Sequence, residues 1–160
     1  MLWELEIRPI GRDGDRERVC DEFDLLTHAQ RGGDLVAGSA RGFLLEGDLS
    51  ESELERLTNE VLVDPLVETG EMRPLGVRTG HYYTVLLKPG VMDPVAQTIL
   101  DLAQMLKIRV AAVRTFRRYY GPPEISSTDR DVLFRKVLAN DAIEQIVVGP
   151  VKADHLGVGP

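Results

Sequence analysis

Residues Tyr82 to Met105 read YYTVLLKPGVMDPVAQTILDLAQM. Tyr83, Val85 and Leu87 alternate with their neighbours, the period of a strand with one buried face. Pro89 and Gly90 end that strand, because proline has no N–H for a ladder and glycine accepts a turn. Asp93 stands where a helix N-cap belongs, and Pro94 takes the first helical position, where a missing amide costs nothing. From there Val95, Ile99, Leu102, Ala103 and Leu106 recur at helical spacing and predict the inner face. A strand, a loop and a helix therefore start afresh in the middle of a chain of 160 residues.

The same order opens the chain. Trp3, Leu5 and Ile7 alternate along a predicted strand from Met1 to Pro9. A helix follows over 15–30, with Val19, Phe23 and Leu26 on one face, and Gly32-Gly33 stops it. Leu35 to Asp48 reads as a strand bent at Gly38 or Gly42. Ser50-Glu51-Ser52-Glu53 is a capping box for a helix to about Val63, and Leu66 to Met72 reads as a short strand. In the later part, Val110 to Tyr120 is a strand, Thr128 caps a helix to Leu138, and Ala142 to Val148 is a last strand.

The two runs can be overlaid. Leu5-Glu6-Ile7-Arg8-Pro9 matches Val85-Leu86-Leu87-Lys88-Pro89 at an offset of 80, which also brings Asp13 onto Asp93. Val61 to Glu68 matches Val137 to Glu144 at an offset of 76. Two matches in the same order predict a duplication. The expected division is a first half over 1–72, a connector over 73–80, a second half over 81–149, and a tail or linker over 150–160. Each half would be α+β, a small antiparallel sheet with helices on one face. Its bare face needs a partner, so the halves are expected to pack through their sheets as a pseudo-dimer in one chain.

Bulk properties exclude several classes. A formal net charge of -7 weighs against a nucleic-acid binder, whose affinity comes from neutralising phosphates. No apolar run approaches the roughly 18 residues of a membrane span, and the acidic, alternating N-terminus is no signal peptide. With Cys20 as the one cysteine, no disulfide forms within the chain, and a reducing cytoplasm is the expected location. His28, His81 and His155 have no ligand spacing, so no metal site is expected.

Two stretches are candidate sites. Lys88, Pro89, Gly90, Asp93 and Pro94 form either a phosphate-binding loop at a helix N-terminus or a capped structural corner. The corner is favoured, because Asp93 fills the free amides with its own carboxylate. Arg114-Thr115-Phe116-Arg117-Arg118-Tyr119-Tyr120 packs three arginines and three aromatics into an acidic protein. On a strand Arg114, Phe116, Arg118 and Tyr120 share one face, and Thr115, Arg117 and Tyr119 the other. Arg114, Arg117, Arg118 and Tyr119 are the expected contacts to a phosphate, a carboxylate or a protein surface; the plain alternative is an edge strand with solvated arginines. No catalytic constellation stands out. Cys20 lies among Glu17, Asp21 and Glu22, whose charge suppresses a thiolate, and Ser126-Ser127 has no histidine or acid motif around it.

Val85-Leu86-Leu87-Lys88-Pro89-Gly90-Val91-Met92-Asp93-Pro94 resembles the signature segment of PurS, the small subunit of phosphoribosylformylglycinamidine synthase. Val113-Arg114, Arg117-Arg118-Tyr119 and Val137 to Glu144 resemble its later segments in the right order, so the resemblance covers Tyr82 to about Val148. The first half looks like a degenerate copy that keeps Leu62 to Glu68, as at the N-terminus of large PurL-type synthases. The chain departs from the pattern at Arg118, which stands in the region of the family's Gly-Lys, and at Phe116, which is bulkier. The resemblance implies a non-catalytic assembly domain in purine biosynthesis, with a synthetase (PurL-type) and a glutaminase (PurQ-type) as partners. It implies no cofactor in this domain, ATP and Mg in the full enzyme, and a tail from Gly149 leading toward a synthetase domain. A second reading is an ACT-like regulatory module that binds an anion between Arg114 and Tyr119.

Overall fold

The structure is a computed structural model and describes residues 1–156; the last part of the expected tail, 157–160, lies outside the described residues. It is α+β. Strand β1 (Leu2–Pro9) leads into helix α1 (Gly14–Thr27), a short α2 (Gly32–Leu35) and β2 (Gly38–Glu46). Helix α3 (Glu51–Arg56) runs on as a π-helical turn (Leu57–Leu62) into β3 (Glu68–Pro74). Then β4 (Tyr82–Leu87), α4 (Pro94–Met105), β5 (Ala112–Tyr120), α5 (Ser127–Val132) with its own π-helical turn (Leu133–Leu138), and β6 (Glu144–Val148) repeat the order. All six strands form one antiparallel sheet, ordered β3-β1-β2-β5-β4-β6.

The expectation of two sheets packed face to face is therefore corrected. The strands of 1–74 and 82–148 meet edge to edge, β2 against β5, with Arg41 opposite Arg117 and Gly42 opposite Phe116. Two reasons favour this arrangement. A three-stranded sheet leaves rows of unpaired N–H and C=O groups along its edges, and joining β2 to β5 satisfies one row from each. The face away from the helices also buries Glu4, Glu6, Thr84 and Arg118 among its apolar residues, and these polar groups suit it poorly to dry sheet stacking.

Helices cover the other face, and they interleave. One core joins Leu5, Ile7, Phe43, Leu45, Leu54 and Leu57 to Ala96, Ile99, Ala103 and Val113. The other joins Val19, Phe23 and Val36 to Tyr83, Val85, Tyr119, Leu133 and Leu138. Each core thus draws on both ends of the chain. The inner face of α4 is Ala96, Ile99 and Ala103, while Val95 and Leu102 stay at the surface. Leu26 of α1 is likewise exposed, and Ser126 rather than Thr128 caps α5.

On the polar face, Arg118 donates from Nη1 to Glu4 and Glu6 at 2.9 Å each, from Nη2 to Glu4 at 2.8 Å, and from Nε to the Thr84 hydroxyl at 2.9 Å. Its guanidinium lies over the rings of Phe116 and Tyr82, 4.4 and 4.6 Å from their centroids. Arg78 from the connector reaches Glu4 and Glu6 at 3.1 Å. Tyr120 donates to Glu6 at 2.5 Å. Two buried carboxylates thus meet two buried guanidiniums. The connector and the tail cover the group: Val151 and Leu156 are buried with Leu44, Leu86 and Phe116. Phe116 lies flat because Gly42 faces it; a Cβ there would come within 2.4 Å of the ring and 2.0 Å of the Leu5 carbonyl.

Arg118→Met strands Glu4 and Glu6 without their main counter-charge, and breaking a buried pair in this way costs about 3–5 kcal/mol. Urea unfolding is expected to show that loss, and the charge-balanced double variant Glu6→Gln, Arg118→Met, which leaves Glu4 with Arg78, to recover part of it. Stability also depends on pH at both ends. Burial alone would raise the Glu6 carboxyl, but Tyr120, Arg8, Arg118 and Arg78 together hold it below its usual 4.5. Its contribution is present above that value and is lost as pH falls through the lower native one. Burial and the Asp15 carboxylate push Tyr119 from 10 up to about 12, so its contribution is present below pH 10 and is lost as pH rises toward 12. Thermal unfolding midpoints across pH are expected to fall at both ends, and Glu6→Gln to flatten the acid limb.

Candidate functional site

The strand that carries the predicted contacts is no edge. β5 lies between β2 and β4, deep in the sheet. Arg118 and Tyr119 are both fully buried, Arg118 in the network above and Tyr119 with its hydroxyl donating to Asp15 at 2.8 Å. Neither has surface to offer a ligand. Arg117 points to the helix side and grips Glu144 with both terminal nitrogens, 2.8 and 3.3 Å, and the Leu138 carbonyl at 2.8 Å. Burial disfavours its charge, yet Glu144 and Tyr119 outweigh that and hold its pKa above the ordinary value. Arg41, opposite it across the junction, grips Glu68 side-on through Nε and Nη2 at 2.9 and 2.8 Å. A hollow of about 400 Å³ between them is lined by Phe43, Val85 and Val95 as well. Because each arginine brings its own glutamate, the hollow carries no surplus positive charge for an anion.

Asp93 does two jobs. One oxygen accepts from the Ala96 amide at 3.0 Å and caps α4; the other accepts from the Thr115 amide and hydroxyl at 2.9 and 2.8 Å. Beyond Leu86, β4 no longer pairs with β5, so the Asp93 carboxylate supplies the acceptor that the strand would have given. Asp13 does the same for the Arg16 amide and for the amide and hydroxyl of Ser39 on β2. This equivalence was legible in the sequence as a repeated aspartate; its reach to the neighbouring strand was not. Lys88 donates to the Asp141 carbonyl at 2.6 Å, Gly90 takes a positive φ of 85°, and Pro94 opens α4.

The candidate site is the groove that this loop makes with the sheet. It encloses about 600 Å³ and is lined by Lys88, Pro89, Met92, Leu100, Arg114 and Leu156 among others. Arg114 donates to the Leu87 carbonyl at 2.5 Å and forms no carboxylate pair among the described residues. Burial lowers its pKa, with Asp93 opposing weakly. A cation partly stripped of water and lacking a counter-ion is suited to an anionic group presented in an apolar setting. Of the four predicted contact residues, the structure thus leaves Arg114 facing a groove, Arg117 in a surface ion pair, and Arg118 and Tyr119 inside.

Sequence reasoning missed Glu4, Glu6 and Arg78. The first two fall at the outward positions of an alternating strand, where acids normally face water, and Arg78 lies in a Gly- and Pro-bearing connector. Cys20 is buried, its thiol raised by that burial, and its sulfur lies 3.7 Å from the Val36 carbonyl. Ser50 and Ser126 are helix caps. Among the described residues no group of three His, Cys, Asp or Glu side chains is placed to hold a metal ion, and no helix is long and apolar enough to cross a membrane. No family model matches the chain, and no curated protein matches it either.

The dual role of Asp93 makes a graded prediction. Asp93→Ala loses a cap worth about 1 kcal/mol and charge-assisted bonds to Thr115 worth about 1.5–3 kcal/mol, so it should cost more than an ordinary cap. Arg114→Met exchanges one hydrogen bond for relief of a desolvated charge and should change stability by less than about 1 kcal/mol. Equilibrium denaturation of the two variants beside the parent chain checks both.

Proposed function

We propose that the chain is a duplicated PurS-like unit serving as the non-catalytic assembly domain of phosphoribosylformylglycinamidine synthase in the cytoplasm. In this reading it bridges a PurL-type synthetase part and a PurQ-type glutaminase part in purine biosynthesis, and ATP and Mg belong to the synthetase. One observation carries the proposal: the same wiring occurs twice. Asp13 and Asp93 each cap a helix and complete a strand. Arg41–Glu68 and Arg117–Glu144 are bidentate pairs at positions 76 residues apart, facing each other at the β2–β5 junction. Ser50 and Ser126 cap helices that both end in a π-helical turn, also 76 apart. Asp64 and Asn140 both fold back on the glutamate that begins the next strand.

Repeated local geometry of this kind supports a duplication more strongly than the sequence overlay alone. It also adjusts that overlay. Ile10 and Lys88 make equivalent ladder bonds, to the Val67 and Ile143 carbonyls, so the first strands align at an offset of 78 rather than 80. The Lys88 to Asp93 loop is correspondingly two residues longer than its counterpart. That longer loop is the segment that resembles the PurS signature and builds the groove beside Arg114. The buried cysteine and the capping serines support a role without chemistry of its own.

The Arg114 groove gives the regulatory, ACT-like reading its one specific support. The two readings separate in one set of experiments. Under the assembly reading, the tagged chain co-purifies with a PurQ-type glutaminase and a PurL-type synthetase, and alone it turns over no formylglycinamide ribonucleotide with ATP and glutamine. Under the regulatory reading, titration calorimetry of the chain alone with nucleotides and amino acids shows tight binding that Arg114→Met abolishes. Turnover by the isolated chain would overturn the assembly reading.

A further inference from the structure

We propose that β6 is an open sheet edge that pairs antiparallel with β6 of a second copy of this chain. The inference does not depend on the assembly role. Lys88 donates to the Ile143 carbonyl and Gly149 to the Tyr82 carbonyl, each at 2.8 Å. In an antiparallel ladder alternate residues turn inward, so Gln145 and Val147 bond to β4, and Glu144, Ile146 and Val148 turn their backbone away from the sheet. The Glu144 amide is satisfied by the Asn140 carbonyl at 2.7 Å. The Glu144 carbonyl, both groups of Ile146 and the Val148 amide have no partner among the described residues.

The opposite edge is built differently. At the places equivalent to Ile146, Val147 and Val148, β3 carries Gly70, Glu71 and Met72, followed by Arg73. Charges and a glycine blunt an edge strand. β6 instead offers an uninterrupted Ile-Val-Val run, with Val148 about half exposed at 53%. Glu144, its one charge, is held by Arg117. Equivalent positions in a repeated fold would be expected to share their protection, and here only one edge has it.

The free edge is self-complementary in one register. With Ile146 opposite its own copy, the two Ile146 residues exchange N–H···O bonds, and each Val148 amide meets the Glu144 carbonyl of the other chain. Glu144 then faces Val148, so no like charges stand opposed. Centring on Glu144 opposes two carboxylates, and centring on Val148 brings in Pro150, which has no amide. The chain already joins β2 to β5 by such an edge pairing. A five-residue strand buries little area, so the association is weak and depends on concentration.

Sedimentation velocity over a concentration series tests this. The expected result is a mass that rises from 17.8 kDa toward twice that value, together with slower hydrogen exchange at the Ile146 and Val148 amides at high concentration. Ile146→Pro removes an outward donor without touching the β4–β6 ladder and should abolish association. Val148→Glu, which sets like charges opposite Glu144 of the other copy at an exposed position, should do the same if the proline variant fails to fold. Met72→Lys on the other edge should leave association unchanged. A mass that stays monomeric at every concentration overturns the proposal. So does association that survives Val148→Glu, or exchange that slows only when a different protein is added.

Discussion

The buried contact of Arg118 with Glu4 and Glu6 ties the sheet together across its middle. Glu4 and Glu6 lie on β1 and Arg118 on β5, two strands away, with Ala40 and Gly42 of β2 passing between them as small residues. A long arginine side chain can span that gap only over small neighbours. Gly42 also lets Phe116 lie flat as one wall of the cation's stack. The group is costly to bury and would be ruinous to unbalance, so each part fixes the others: strand order, the connector that brings Arg78, and the tail that keeps water out.

A second constraint is the end of a strand. Where β1 and β4 stop, their neighbours β2 and β5 continue, and an amide on each would lose its acceptor. Asp13 and Asp93 supply one while starting the next helix. Helix direction, loop length and sheet edge are thereby set by a single carboxylate in each half. The interleaved cores add to this. Val19 and Phe23 pack with Leu133 and Leu138, and Leu54 and Leu57 pack with Ile99 and Ala103, so neither half has a complete core of its own.

These constraints bear on function through what they leave free. Most of the arginine-rich strand is committed to structure: Arg118 to Glu4 and Glu6, Tyr119 to Asp15, and Arg117 to Glu144. What remains available is peripheral. It comprises the long loop before α4 with Arg114 beside it, and the open edge of β6. A protein that spends its charged residues on internal wiring and keeps its openings at loops and edges is suited to holding other parts in place, which is consistent with the assembly role proposed above.

Sequence by itself determined the local devices. Alternation fixed β1 and β4, Asp93-Pro94 fixed the start of α4, Ser50 to Glu53 fixed the start of α3, and the recurring segments showed that one order of elements occurs twice. These are contacts between residues a few positions apart, and short-range patterns record them. The tertiary structure alone decided how the halves meet, which arginines are buried, and that Val95 and Leu102 stay outside. Those outcomes depend on partners far away in the chain, 114 residues in the case of Arg118 and Glu4. An alternating acid on a strand reads as solvent-facing until the strand, connector and tail that cover it are in place.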